Sequence, residues 1–230
     1  MIRLYDLAGA RDDCRFSSNC WPVRMALLHK GLPFETIPWR FSEKQTIAFS
    51  GQKLVPVLVD GDVVVLDKWK IAEYLEEAYP GRPSLFGCQR GHALAHFVTN
   101  WTSSVIAATT IRLILTDIFD VIHDQDKEYF RQSREQRFGM PLETVVKDRD
   151  TRVEELRRSL QPLRMSLAGA PYLSGDTPAW ADYVTFGQFQ WARSVSHFQL
   201  IKSDDPIHSW RSRMIDMFDQ AANKVYILDS

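Results

Sequence analysis

A chain of 230 residues with 45% hydrophobic side chains is long enough for one or two compact domains with a sizeable core. Its 28 basic and 29 acidic side chains leave a net charge of −1, which gives no electrostatic case for nucleic acid or an anionic membrane, and no apolar run approaches the roughly 20 residues of a membrane span. Three cysteines without framework spacing, and an N-terminus MIRLYDLAG that lacks a basic segment followed by an apolar one, lead to the expectation of a cytoplasmic protein.

Met1 to Ala8 alternates Ile2, Leu4 and Leu7 with polar residues and reads as a strand. After the loop GARDDCRFSSN, an apolar stripe of Trp21, Val23, Ala26 and Leu27 predicts a helix that Gly31 ends. Phe34 to Trp39 reads as a second strand, which makes a β-α-β unit. Asp60-Gly61 between two β-branched runs predicts a hairpin. Asp67 then stands before a helical pattern (Trp69, Ile71, Ala72, Leu75), where it can cap the orphan N–H groups.

The breaker cluster Pro80-Gly81-Arg82-Pro83 marks a boundary, and beyond it strand signals give way to helical periods. One long helix is predicted from Gly91 to about Thr116. Asp120 to Gly139, polar and charge-rich, is predicted as loop and short helix. A charged helix is expected from Leu142 to about Leu160, ended or kinked by Pro162. Ala179–Val195 and Asp205–Ala222 complete the helices. His92 and His96 have the spacing of a metal pair but no third ligand, so no metal is expected. Arg131, Arg134 and Arg137 read as a solvated face.

Four segments in order, FSSNCWPVRMALLHKGL, KLVPVLVDGD, IAEYLEEAYPGRPSLFG and LSGDTPAWADYVTFGQFQWAR, resemble the glutathione transferases. The closer resemblance is to the serine-type branch that includes bacterial lignin β-etherases and fungal etherase-related (FuA) transferases. It implies an α+β domain followed by an all-α one: a thioredoxin-like, glutathione-binding domain over 1–82 and an all-helical domain over 83–230.

The implied chemistry needs a thiolate, because a cysteine-type thiol near pKa 8.5 is mostly protonated at neutral pH. A hydroxyl donor and a helix N-terminus both favour the charged form. The family motif resembles S-P-x-x-W, and Ser17 stands four residues before Trp21 with Ser18 in the proline position, so either hydroxyl is a candidate to face sulfur. As residues alone, both also suit a helix cap. The resemblance further implies that Val55 pairs its backbone with glutathione and that Pro56 is cis.

At the helix start, relatives carry an acidic residue followed by a serine that holds the γ-glutamyl carboxylate. Here the pair is Asp67-Lys68, and the ammonium either attracts that carboxylate or fills its pocket. Gln52 and Lys53, with Lys44 and Arg40 behind them, are candidates for the glycyl carboxylate or for plain surface. Trp101 and Phe97, with Ile106 and Thr110, are candidates to meet a small hydrophobic electrophile. Asp182 matches a buried capping aspartate of the family, with Ala179 where a reciprocating Ser or Thr would stand.

The expected activity is attack of glutathione thiolate on an electrophilic, aromatic small molecule, including β-aryl ether cleavage, by a homodimer. Two alternatives stand beside it. One is a non-catalytic binding protein with the same cleft; the other is a cysteine-type reductase using Cys20, although burial as a small hydrophobe also suits that residue.

Overall fold

The computed structural model describes residues 1–228. Four strands form one sheet in the order β2-β1-β3-β4: β1 Ile2–Leu7, β2 Phe34–Trp39, β3 Val57–Asp60 and β4 Val63–Leu66. The β1–β2 pair is parallel because helix α1, Cys20–His29, makes the crossover. The β3–β4 pair is an antiparallel hairpin that turns at Gly61, φ 58°. Leu4 of β1 stands between Thr36 and Leu58 and is fully buried. Helix α2, Lys68–Ala78, follows the hairpin and buries Ile71, Ala72 and Leu75.

From residue 89 the chain is helical. Helices α3 (Gln89–Trp101) and α4 (Ala108–Val121) form one continuous rod joined by a π-helical turn at Thr102–Ala107. Then come α5 Asp124–Phe138, α6 Leu142–Val146, α7 Arg149–Ser159, α8 Gln161–Gly169, α9 Trp180–Val195 and α10 Pro206–Gln220. Among the described residues no helix is long and apolar enough to cross a membrane.

Two expectations need correction. Residues 120–139 hold a 15-residue helix, α5, rather than loop and short helix. Its composition looks like solvent-exposed loop, yet Asp126, Phe130, Arg134 and Phe138 recur one turn apart on a single face. Asp124 and Asp126 in its first turn and Arg137 in its last complement the helix dipole, and Gly139 at φ 69° ends it. The charged helix expected over 142–160 is two helices, α6 and α7, divided at Lys147–Asp148. Pro162 lies in the first turn of α8, where a missing N–H costs little.

Helix α9 is the spine of the second domain, with Trp180, Tyr183, Val184 and Phe186 fully buried. Asp182 fixes its start. The carboxylate accepts N–H from Leu173 at 2.8 Å, Ser174 at 3.1 Å, Ala179 at 3.2 Å and the Trp210 indole at 2.9 Å. Ala179 has no side-chain oxygen to return the bond, and its carbonyl accepts the Asp182 N–H at 3.0 Å instead. A buried acceptor with four donors joins the α8–α9 loop to α10.

Candidate active site

The loop after β1 closes on Ser17. Its Oγ accepts the N–H of Asn19 at 3.2 Å and of Cys20 at 3.1 Å, so the residue caps the entry to α1. Both bonds use oxygen lone pairs, and the hydroxyl keeps its proton for donation. Ser17 is 7% exposed and lines an interdomain cleft, with half-buried Ser18 beside it. The Ser18 carbonyl approaches α9 at Gly187, where a Cβ would lie 2.9 Å from that oxygen. Glycine there lets the second domain support the serine turn at close range.

Beneath this turn lies a buried charge cluster. Asp6, 2% exposed on β1, is 3.6 Å from Arg15 and 3.7 Å from Arg24. Burial raises the Asp6 pKa, and the two guanidiniums oppose that rise. Cys20 is fully buried above it; burial and then the Asp6 charge push its thiol well up, against the Ser17 hydroxyl close to its sulfur. Cys14 is also buried, with a thiol pushed up to about 11 by burial. Both are poor nucleophiles at neutral pH.

The opposite wall comes from the hairpin. The Val55–Pro56 peptide bond is cis, and the Val55 N–H and C=O have no backbone partner among the described residues. Asp67 then takes φ 69°, ψ 136°, a strained conformation for a side chain with a Cβ. Its carboxylate holds it there by accepting Trp69 N–H at 2.8 Å and Lys70 N–H at 3.3 Å, and the Lys68 N–H stays outside this cap.

Lys68 turns its side chain into the cleft. Only 8% exposed, it donates from Nζ to Asn19 Oδ1 at 2.8 Å and Ser103 Oγ at 3.1 Å. No carboxylate lies within 4.0 Å of this ammonium among the described residues. Burial lowers its pKa, with Asp67 acting in the opposite sense. Ser103 belongs to the π-helical turn, a distortion that often marks functional positions on helices.

The Asn19–Lys68–Ser103 bridge divides the cleft in two. A polar compartment of about 430 Å³ includes Gln52, Val55, Asp67, His96, Thr99 and Asn100 in its lining. An aromatic compartment of about 390 Å³ is lined by Ser17 and Ser18 together with Phe16, Trp39, Phe130 and Trp191, among others. Asn19, Leu54, Val55, Lys68 and Ser103 face both.

The structure thus gathers Ser17, Ser18, Gln52, Val55, Pro56, Asp67 and Lys68 at one cleft. Lys53 is exposed and lines neither compartment, and the same holds for Phe97, 69% exposed, and half-buried Trp101. The helix presents another face, on which His96, Asn100, Ser103 and Ala107 follow at three- and four-residue steps. Ile106 and Thr110 are buried in the core. His92 binds Glu73 at 3.1 Å and, like His96, packs its ring at a tilt against Trp69. Sequence reasoning weighed His96 only as a metal ligand, and missed Asn100 and the Phe130–Arg134–Phe138 stripe of α5.

Residues 13–83 match the family description "Glutathione S-transferase, N-terminal domain", and residues 93–215 match "Glutathione S-transferase, C-terminal domain". The Aspergillus flavus "Glutathione S-transferase-like protein ustS" is 25% identical over 205 residues, 77% of this chain and 74% of that one. "Glutathione S-transferase 1" of Dianthus caryophyllus is 31% identical over 143 residues, 57% of this chain and 62% of its own length. Among solved structures, GSTFuA3 of Phanerochaete chrysosporium superposes with a TM-score of 0.83 at 22% identity, covering 95% of this chain and 96% of that one. A Ceriporiopsis subvermispora glutathione S-transferase, solved in complex with glutathione, gives the same values: 0.83, 22%, 95% and 96%. With both halves of the chain matched and the fold shared throughout, this protein belongs to the glutathione S-transferase family.

Proposed function

We propose that the chain is a serine-type glutathione S-transferase that presents glutathione thiolate to an electrophilic aromatic acceptor. The observation that carries this reading is the divided cleft: a polar compartment with a free backbone edge at Val55, joined to an aromatic one at Ser17. Glutathione would lie extended in the polar compartment, its cysteinyl amide pairing with Val55 as an added strand. Its γ-glutamyl carboxylate would meet the N-terminus of α2 and the Lys68 ammonium. The thiol would then reach the junction of the compartments. Its proton leaves to solvent, and the Ser17 O–H and the α1 N-terminus stabilise the sulfur anion. The thiolate attacks the acceptor's electrophilic carbon, and the leaving group departs with the bonding pair; an aryloxide would serve in ether cleavage.

A second reading, a binding protein without turnover, draws on one observation: the Lys68 side chain occupies the space between the compartments. The same experiments separate the two. Calorimetric titration with glutathione and turnover of a generic aryl halide are measured for wild type and Ser17→Ala. The transferase reading predicts saturable binding to both proteins and a loss of about 100-fold in kcat/KM for the variant, the scale of removing one oriented hydrogen-bond donor. Binding without turnover in wild type would favour the binding protein, and a gain of affinity in Lys68→Ser would then identify Lys68 as the obstruction.

The reading includes a homodimer. Leu94 and Phe97 on α3 and Val63 and Val64 on β4 are exposed apolar side chains suited to a subunit interface. Sedimentation of Phe97→Glu against wild type tests it.

A further inference from the structure

The aromatic compartment has a charge pattern that a purely hydrophobic acceptor does not need. Its lining includes three cations, Lys68, Arg134 and Arg137, and, among the described residues, no carboxylate, in a chain whose net charge is −1. Arg134 is half-buried, its guanidinium 4.6 Å from the Phe130 ring centroid and 5.2 Å from that of Phe41. Its Nη1 donates to Ser133 Oγ at 2.8 Å and the Tyr129 hydroxyl is a second side-chain partner, so neither of these partners carries a full negative charge. Arg137, one turn on, lies 5.7 Å from the Phe138 ring. Neither arginine has a carboxylate within 4.0 Å among the described residues.

The neighbouring Arg131 provides the contrast. On the same helix but outside the cleft, it holds Glu135 at 2.9 Å and Glu143 at 2.8 Å. The last-turn position of Arg137 suits the helix dipole, but that does not explain a half-buried Arg134 within cation–π distance of two rings. A guanidinium at cation–π distance from two rings, lining a cleft and with no carboxylate within 4.0 Å among the described residues, is suited to recognition of an oxyanion.

We propose that the aromatic compartment selects acceptors bearing an anionic group on an aromatic ring, the ring packing against Phe130 and Phe138 and the anion meeting Arg134 and Arg137. The inference rests on the transferase reading for the reaction, though not for the binding. With an aryl chloride as acceptor, the thiolate forms a C–S bond at the ring carbon. The C–Cl bond breaks, and chloride leaves with the bonding pair.

The test compares 4-chloro-3-nitrobenzoate with its methyl ester, each kcat/KM divided by the uncatalysed rate with glutathione at the same pH. Wild type is expected to favour the carboxylate by about ten-fold, the scale of a charge-assisted bidentate pair. The Arg134→Gln/Arg137→Gln double variant is expected to lose that preference, and Arg134→Lys to keep only part of it. A wild-type ratio of one or less, or the same ratio in the double variant, overturns the proposal. Circular dichroism and the thermal midpoint report whether the variants fold.

If no acceptor turns over, quenching of tryptophan fluorescence by 3-nitrobenzoate and by methyl 3-nitrobenzoate replaces the rate measurement, since Trp39 and Trp191 line the compartment. Tighter binding of the carboxylate, lost in the double variant, upholds the anion site while the transferase reading falls. Equal binding of the two probes overturns the anion site.

Discussion

Beneath the serine turn, buried Arg15 and half-buried Arg24 face Asp6; elsewhere, Lys68 and Arg134 line the cleft with no carboxylate within 4.0 Å among the described residues. The first set is paired by charge, at 3.6 and 3.7 Å, as charges in a protein interior generally are. The second set departs from that pattern at the one place where ligands of opposite sign can enter. The difference separates scaffold from site without reference to any relative. On the proposed reading, Asp6 belongs to the platform beneath Ser17, and the cleft cations would meet the carboxylates of glutathione and of its acceptor.

The largest expected effect lies on the scaffold side. Asp6→Asn leaves two guanidiniums without their counter-charge, and a loss of about 3–5 kcal/mol is expected, the range for breaking a buried pair. Urea unfolding would read it as a lower midpoint at unchanged slope. A loss below about 1 kcal/mol would show that solvent already screens the cluster and would end the distinction drawn here.

On the site side, Lys68→Met is expected to weaken glutathione binding about ten-fold, as loss of a charge-assisted contact, with little change in the urea midpoint. Burial has lowered the Lys68 pKa, so the wild-type ammonium is lost as pH rises through a value below its ordinary 10.5. Wild-type affinity should therefore decline on that alkaline limb, and the Met variant should lack this decline. Identical pH profiles would assign Lys68 to the scaffold.

A smaller effect probes how the two regions meet. Gly187→Ala places a Cβ against the Ser18 carbonyl, so α9 or the serine turn must shift by a few tenths of an ångström. Since small misplacements at a reacting centre are costly, kcat is expected to fall several-fold at nearly constant KM for glutathione. An unchanged kcat would show that the turn adjusts freely.

The smallest expected effect is on stability at low pH. His29 accepts the Tyr183 hydroxyl at 2.7 Å on Nδ1 and donates from Nε2 to the Ser84 carbonyl at 3.1 Å. Burial lowers its folded-state pKa below the ordinary 6.5. The unfolded chain then binds more protons in that window, so the stability due to neutral His29 is complete above about pH 6.5 and is lost as pH falls through the folded-state value. Thermal midpoints of His29→Gln should fall less steeply there than those of wild type; parallel curves would contradict this.

Much of the first domain was legible because its signals are local. Asp60-Gly61 can make little else between two valine-rich runs, and Asp67 ahead of Trp69 caps whatever helix follows. That Ser17 and Val55 would stand at one cleft was legible through the spacing of a resemblance. Which helix faces line that cleft was not. Apolar periodicity finds the largest side chains on a helix, and on α3 those are Phe97 and Trp101; which face meets the cleft depends on how the π-helical turn and α9 seat the rod. Arg134 was hidden by its charged neighbours, because a helix rich in Arg, Glu and Gln reads as solvated until the one-turn repeat of Phe130, Arg134 and Phe138 is noticed. Lys68 was legible as a departure from pattern, but its reach to Ser103 is a long-range contact.

The most direct test of the central claim is the pKa of the glutathione thiol in the binary complex, followed by the ultraviolet absorbance of the thiolate. The account predicts a value well below the 8.5 of an ordinary thiol in wild type and a return toward it in Ser17→Ala, with glutathione still bound. Bound glutathione with an unshifted thiol, or the same depressed value in both proteins, would contradict the role given to Ser17.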